Sequence, residues 1–371
     1  MSYSRLLFLL TAVLITQPEV VGCDEKNSQT SSASQFQISE DEDGFTIEVS
    51  GELFARYITS SANKPYFWPI IGPTGKPMTR AFPMKLVDHE SEQQRDHPHH
   101  RGLLFGHQSV GLKGWQQPKS GAEWEQALAK NRSNIGGDSW HEPATFETQD
   151  KTPKQRRTAI LTSIKHREFK QLSADENRAV VVEVCDHIDR DGKRFLTETR
   201  RFEFRVAKDA RSIDFDQTFV ASDGDVVFED QKDAGIAIRV PSSMAIDSKQ
   251  GGVVINSDGQ PCKKAWGRPA KWCDYHGPVD DENLGIAFLC HPTSYRFPSR
   301  WHVREYGLFA ANPFGLKSFN RKLTDGATRL SKGEKLMLRH RLIFHKGDAK
   351  AAKIQSAWRA YAKESRSYES E

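Results

Sequence analysis

Through the middle of the chain, apolar residues recur at every second position. In "FEFRV", Phe202, Phe204 and Val206 fall on one side, with Glu203 and Arg205 on the other. In "SIDFDQTFV", Ile213, Phe215 and Phe219 share a face opposite Asp214, Asp216 and Thr218. A period of two predicts antiparallel strands with one face on a core and one in water. "AVVVEVCDHIDRDGKRFLTETRRFEFRV" reads as two strands joined at Asp191-Gly192, a strong hairpin signal. Further strands are expected at 159–168, 234–240, 285–290, 305–310 and 336–345, with Gly and Pro in the gaps. Helix is expected only near the C-terminus, over 347–364. There Asp348 is a candidate N-cap, and Ile354, Trp358 and Tyr361 fall on one face. No segment repeats at 20 to 50 residues, which argues against a propeller or solenoid. The expected fold is therefore all-β: a large antiparallel β-sandwich over 45–346, a docked C-terminal helix and a tail at 365–371.

The N-terminus departs from this pattern. Arg5 precedes an apolar run from Leu6 to Ile15, and small residues follow. This predicts a secretory signal over 1–23, too short to span a bilayer. Val20, Val21, Gly22 and Cys23 are similar to a lipoprotein box, which would make Cys23 a lipidated first residue. Export to the periplasm or cell surface is expected, with membrane association only through that anchor. The polar stretch 24–44 reads as a linker. After export, Cys185, Cys262, Cys273 and Cys290 could pair in three ways or remain buried thiols. The 371 residues carry 53 basic and 49 acidic side chains, intermixed, with a net charge of +4. Without a basic run, nucleic acid is not an expected partner.

Candidate chemistry is concentrated in four stretches. "RDHPHHRGLLFGH" (95–107) holds four of the chain's 13 histidines. In extended geometry His97 and His99 share a side, with His100 opposite, and Arg101-Gly102 turns the chain before Leu103. His100 and His107 are candidate acid–base groups, because imidazole titrates near neutrality. His97 and His99 are candidate ligands for a divalent transition metal, with Asp96 as a further ligand or as an orienting group. "SWHEP" places Trp140, His141 and Glu142 side by side, a stacking surface beside an acid or base. "FEDQKDAGIAIRVP" sets Lys232 among Glu229, Asp230 and Asp233. "LCHPTSYRFPSRWHVREYGLFAANPFG" interleaves Trp301, His302, Arg304, Tyr306 and Asn312. That combination offers flat apolar faces and hydrogen-bonding groups to a sugar.

Taken in order, "PYFWPIIGPTGKPMTRAFPM", "DHPHHRGLLFGH", "WHE", "DAGIAIRV" and the last stretch resemble a bacterial family labelled PmoA, from about Tyr57 to the C-terminal helix. The resemblance implies exported proteins of polysaccharide-degrading bacteria. Its label implies a copper- or iron-dependent oxidoreductase on His97, His99 and His107. The strand pattern with clustered histidines is also similar to the galactose-mutarotase-type sandwich. That likeness implies acid–base chemistry on a sugar, with His100 or His107 as acid and Glu142 or His302 as base. Arg101, Trp140, His141, Lys232, Trp301, Arg304 and Asn312 would hold the ligand. The expected partner is a small sugar or oligosaccharide. An epimerase, lyase or hydrolase is the leading expectation, with the oxidoreductase and a non-catalytic glycan-binding protein as alternatives.

Overall fold

The computed structural model describes residues 36–114, 122, 137–145 and 160–365. The signal pattern, Cys23, linker residues 24–35 and tail residues 366–371 lie outside them. In chain order the strands are β1 (Phe36–Asp41), β2 (Gly44–Val49), β3 (Glu52–Ile58), β4 (Tyr66–Ile70), β5 (Leu103–His107) and β6 (Val110–Leu112). Then follow β7 (Ser163–Ala174), β8 (Ala179–Ile188), β9 (Arg194–Ala207), β10 (Ala210–Val220), β11 (Val226–Phe228) and β12 (Ala234–Arg239). The last are β13 (Val253–Asn256), β14 (Trp272–Val279), β15 (Glu282–Cys290), β16 (Arg300–Val303), β17 (Leu308–Asn312), β18 (Thr328–Leu330) and β19 (Lys335–Lys346). Two short α-helices, α1 (Cys262–Ala265) and α2 (Ile354–Tyr361), and two single 3-10 turns, Glu92–Gln94 and Ile246–Ser248, complete the described elements. None is long and apolar enough to cross a membrane.

The strands form two eight-stranded antiparallel sheets, ordered β1-β2-β3-β4-β5-β12-β17-β16 and β13-β14-β15-β19-β10-β9-β8-β7. A three-stranded sheet, β18-β11-β6, stands beside them. The large sheets pack face to face through aromatic rings. Phe67 of the first meets Phe202 of the second at 4.9 Å, edge to face, and Phe45 lies 6.3 Å from Phe204. Such contacts add to the hydrophobic gain from burial. The Asp191-Gly192 hairpin joins β8 and β9, with Gly192 at φ 82°.

Three expectations need correction. The first described strand, β1, lies inside the expected linker: it is an edge strand that buries Phe36 and partly buries Ile38 while Gln37, Ser39, Glu40 and Asp41 face water, so its composition reads as polar. Asp348 does not cap a helix that starts beside it. It accepts the amides of Lys350 and Ala351, and α2 begins only after Lys353, at φ 53°. Nor is the outer face of the second sheet in water. Glu203, Asp214 and Asp216 are buried. Arg178, Arg201 and Arg205 pair with Glu203, and Arg205 and Arg341 pair with Asp214. A buried carboxylate needs such partners, so charge on a strand's second face does not guarantee solvent. On the same side α2 packs Ile354 and Tyr361 against Trp272 and Leu289, and Trp358 Nε1 donates to the Cys290 carbonyl at 2.9 Å. All four described cysteines are buried free thiols.

Candidate functional site

Along β5, β12, β16 and β17 the side chains alternate cleanly between two faces. Leu103, Phe105, Ile236, Ile238, Phe309, Ala311 and Trp301 point into the sandwich core. Leu104, Ala237, Leu308 and Ala310 point outward, and with Tyr66 and Trp140 they form a separate apolar floor. The histidine-rich segment before β5 and the Trp140–Glu142 segment sit over this outer floor.

The segment's geometry is set by backbone and carboxylate together. His97 adopts φ 44° and Gly102 φ 48°, which bends the chain twice within six residues. A side chain at Gly102 would place Cβ 1.9 Å from the Phe67 carbonyl oxygen. Gly102→Ala is therefore expected to cost about 1–3 kcal/mol or to shift the histidines, as denaturant unfolding and proton chemical shifts would report. Asp96 is the anchor. One oxygen accepts Arg80 at 2.8 Å and Arg239 at 2.6 Å, and the other accepts His97 Nδ1 at 2.6 Å. Burial opposes its charge, but the His97 bond and the Arg239, His97 and Arg80 charges hold the carboxyl down at about 2. The ionised carboxylate fixes the proton on His97 Nδ1 and leaves Nε2 as the acceptor nitrogen.

The rings assemble around this dyad. His97 stacks on His100 at 5.0 Å and on Tyr306 at 4.9 Å, nearly parallel to both. His99 lies 4.3 Å from His100, 4.6 Å from His141 and 5.6 Å from His97. A second dyad stands here: His141 Nδ1 is 2.8 Å from Asp138, whose other oxygen accepts the amides of Trp140 and His141. Arg101 Nε meets both oxygens of the buried Glu142, at 3.1 and 3.0 Å. Burial, reinforced by neighbouring cationic groups, pushes the His99 and His100 imidazoles well below their ordinary range, so both are neutral at pH 7. By contrast, His97 and His141 keep part of their surface in solvent, at 32% and 15% of the side chain.

The expected site residues thus divide. His97, His99, His100, Arg101, Trp140, His141 and Glu142 converge, and Arg304 reaches the edge, with Cζ 5.5 Å from the Tyr306 ring. The chain expected as a strand at 305 instead turns between β16 and β17, which puts Tyr306 at a hairpin tip over His97. Lys232 is half exposed and pairs with Asp233 at 2.6 Å. His302 Nδ1 and Asn312 Nδ2 both donate to the Lys232 carbonyl, at 2.7 and 2.9 Å, so they shape the segment carrying Lys232 and Asp233. Burial depresses His302 to about 4.

His107 and Trp301 do not join. His107 is on the inward phase of β5, fully buried against Phe228 and Phe314 and depressed to about 3 by burial, so it cannot be the acid. Trp301 fills the core, 5.7 Å from Phe288, and donates to the Ala270 carbonyl. Of the three expected metal ligands, His107 stands apart in the core, while His97 Nδ1 pairs with Asp96 and His99 Nδ1 with Thr145 at 2.9 Å. Among the described residues no three His, Cys, Asp or Glu side chains are grouped to hold an ion.

Several supports had little or no local signal in the sequence. Arg80 and Arg239 come from segments 16 and 143 residues away from Asp96. Lys64 is fully buried and donates to the Trp140 carbonyl at 2.9 Å; burial lowers it to about 8 despite Glu142 and Asp138 nearby. Arg239, alternating apolar to polar at the end of "GIAIR", was the one detectable cue. Beside the dyad, a cavity of about 430 Å³ is lined by Asp247, Cys262, Lys263, Trp266, Arg304 and Tyr306, among others.

The fold and site define an all-β sandwich protein with a histidine–carboxylate cluster on the outer face of one sheet. The chain belongs to a family of unknown function, DUF6807, whose sequence model matches residues 44–359. No curated protein matches it. Among solved structures it is similar to a galactose mutarotase-like protein from Clostridium acetobutylicum, at 12% identity and a TM-score of 0.38 over 84% of this chain and 99% of that one. A putative aldose 1-epimerase from Escherichia coli K12 aligns at 10% identity and a TM-score of 0.36, over 84% and 99%. The GH36 α-galactosidase AgaB from Geobacillus stearothermophilus aligns at 10% and 0.37 over 84% of this chain. This chain spans only 41% of that enzyme, and 28% of the related AgaA chain in complex with raffinose.

Proposed function

We propose that the protein binds a sugar or oligosaccharide over the outer face of the first sheet and moves a proton on it. The observation that carries this reading is the pair of dyads, His97–Asp96 and His141–Asp138, whose rings both touch His99. A carboxylate on Nδ1 fixes the tautomer, so each imidazole exchanges its proton at Nε2. His99 and His100, kept neutral, add no competing positive charge. Tyr306 and Trp266 supply flat faces, and Arg101–Glu142, Arg304 and Lys232–Asp233 supply polar groups for ring hydroxyls. His97 would accept a proton from the sugar, with the charge it gains stabilised by Asp96. This reading takes over the acid–base role first expected of His100 and His107. The leader pattern and Cys23 favour an exported, lipid-tethered enzyme, and the PmoA-type resemblance remains part of this proposal.

The test is ligand-observed NMR with neutral mono- and oligosaccharides, followed by time courses for anomeric exchange, epimerisation or cleavage. Binding that disappears in Tyr306→Ala, with turnover in the unaltered protein, is the expected result. Binding without any turnover would instead make this a glycan-binding protein.

A further inference from the structure

A second cavity, of about 680 Å³, is lined by residues of β4 and of the segments 77–90, 241–243 and 278–281. Half of its lining is apolar, with Trp68, Pro69, Pro77, Val87, Pro241 and Pro278 the main surfaces, and the other half is polar or charged. Three hydroxyl residues also line it, Thr79, Ser242 and Ser243, of which Thr79 and Ser242 are buried, at 4% and 7% exposure. Neither Thr79 Oγ1 nor Ser242 Oγ has a hydrogen-bond partner among the described residues. A buried hydroxyl without a partner costs stability, and a chain gains nothing from two of them in one cavity unless something else pairs them.

The charges around the cavity are already answered. Glu90 is buried, and its two oxygens accept the Ala81 and Phe82 amides at 2.8 and 3.0 Å. Asp280 faces Lys76, whose Nζ donates to the Asp280 carbonyl at 2.9 Å. Lys85, His89 and Asp281 are exposed at the mouth and of mixed sign. Such a lining does not select an ion. It suits a neutral molecule with one flat apolar face and several hydroxyls.

We propose that this cavity is a second binding site, for a neutral sugar ring, with Trp68 and the prolines against its apolar face and Thr79 and Ser242 turning about χ1 to bring their shielded hydroxyls onto it. The size is within the range of small-ligand sites, about 300–1,000 Å³. The site is joined to the first through one short segment. Trp68 Nε1 donates to the Arg80 carbonyl at 3.1 Å, while the Arg80 guanidinium holds Asp96. A ring seated on Trp68 therefore stands one hydrogen bond from the residue that anchors the His97 dyad. The proposal does not depend on that dyad being catalytic.

The experiment is isothermal titration with methyl β-galactoside, methyl β-glucoside and maltose, with glucuronate as a charged control. The proteins are the unaltered chain, Thr79→Val, Ser242→Ala and Tyr306→Ala, and each is also melted without ligand. A neutral glycoside is expected to bind, and each hydroxyl variant to weaken it about tenfold, the loss of one hydrogen bond. Melting of both hydroxyl variants should be unchanged or raised, since each removes an unpaired buried group. Tyr306→Ala should leave this binding intact, which separates it from the site proposed above. The proposal is overturned if no neutral glycoside binds, if glucuronate binds more tightly, or if neither hydroxyl variant alters affinity. It is also overturned if both variants melt lower, because the hydroxyls would then be structural.

Discussion

Melting of this protein is expected to fall by at least about 10 °C between pH 7.5 and pH 5. Three histidines carry the countable part: His107 and His340, both depressed to about 3, and His302, depressed to about 4. Burial is the main cause in each. The unfolded chain holds them near the ordinary value of about 6.5. Above pH 6.5 both states are neutral and the full stability is present. As pH falls, the unfolded chain takes up protons that the folded one refuses, and stability drops until the folded values are reached at about 3–4. At pH 5 each group costs about 2 kcal/mol, so the three cost about 6 kcal/mol against a typical total of about 5–15. His99 and His100 are shifted in the same direction and steepen the fall. Circular dichroism melts from pH 7.5 to 4.5 would show it, with a size scaling of about 2–4 °C per kcal/mol or somewhat less for a chain this long. A melting temperature flat across that window would mean these imidazoles are solvated in solution.

Under the function proposed above, replacing His97 by alanine is expected to reduce turnover by about 10²- to 10⁴-fold, the usual contribution of a positioned acid–base group. The fold should survive, because His97 is the most exposed ring of the cluster and Asp96 keeps both arginines. The loss should fall on kcat, with KM changed much less, since Tyr306 and the polar rim remain. Tyr306→Ala should do the reverse and raise KM. The two variants together separate proton transfer from binding. A His97→Ala protein that turns over at the original rate would move the chemistry to His141 and Asp138.

How much of this was legible before the fold was known differs by feature. The period-two pattern of "FEFRV" and "SIDFDQTFV" and the Asp191-Gly192 turn are local, and they specify strands and a hairpin because side-chain alternation and turn dihedrals act within a few residues. The convergence of His97, His99 and His100 is also local. Their union with Trp140, His141 and Glu142 is not, because strand order and loop placement bring those segments together.

What the sequence by itself determined is the all-β class, the hairpins, the apolar phase of alternating strands such as β9 and β10, and the dense imidazole at 97–100. Only the tertiary structure decided which of those imidazoles face solvent. His107 lies one strand-length from His100 yet on the inward phase of β5, among Phe228 and Phe314, and Trp301 takes the inward phase of β16. Residue type does not reveal phase where both faces are covered, as they are in β5, β12 and β17, so a histidine or tryptophan reads alike in core and in site. Nor could the chain alone show that Arg80 and Arg239 meet on Asp96, since that anchor is made across 16 and 143 residues by packing.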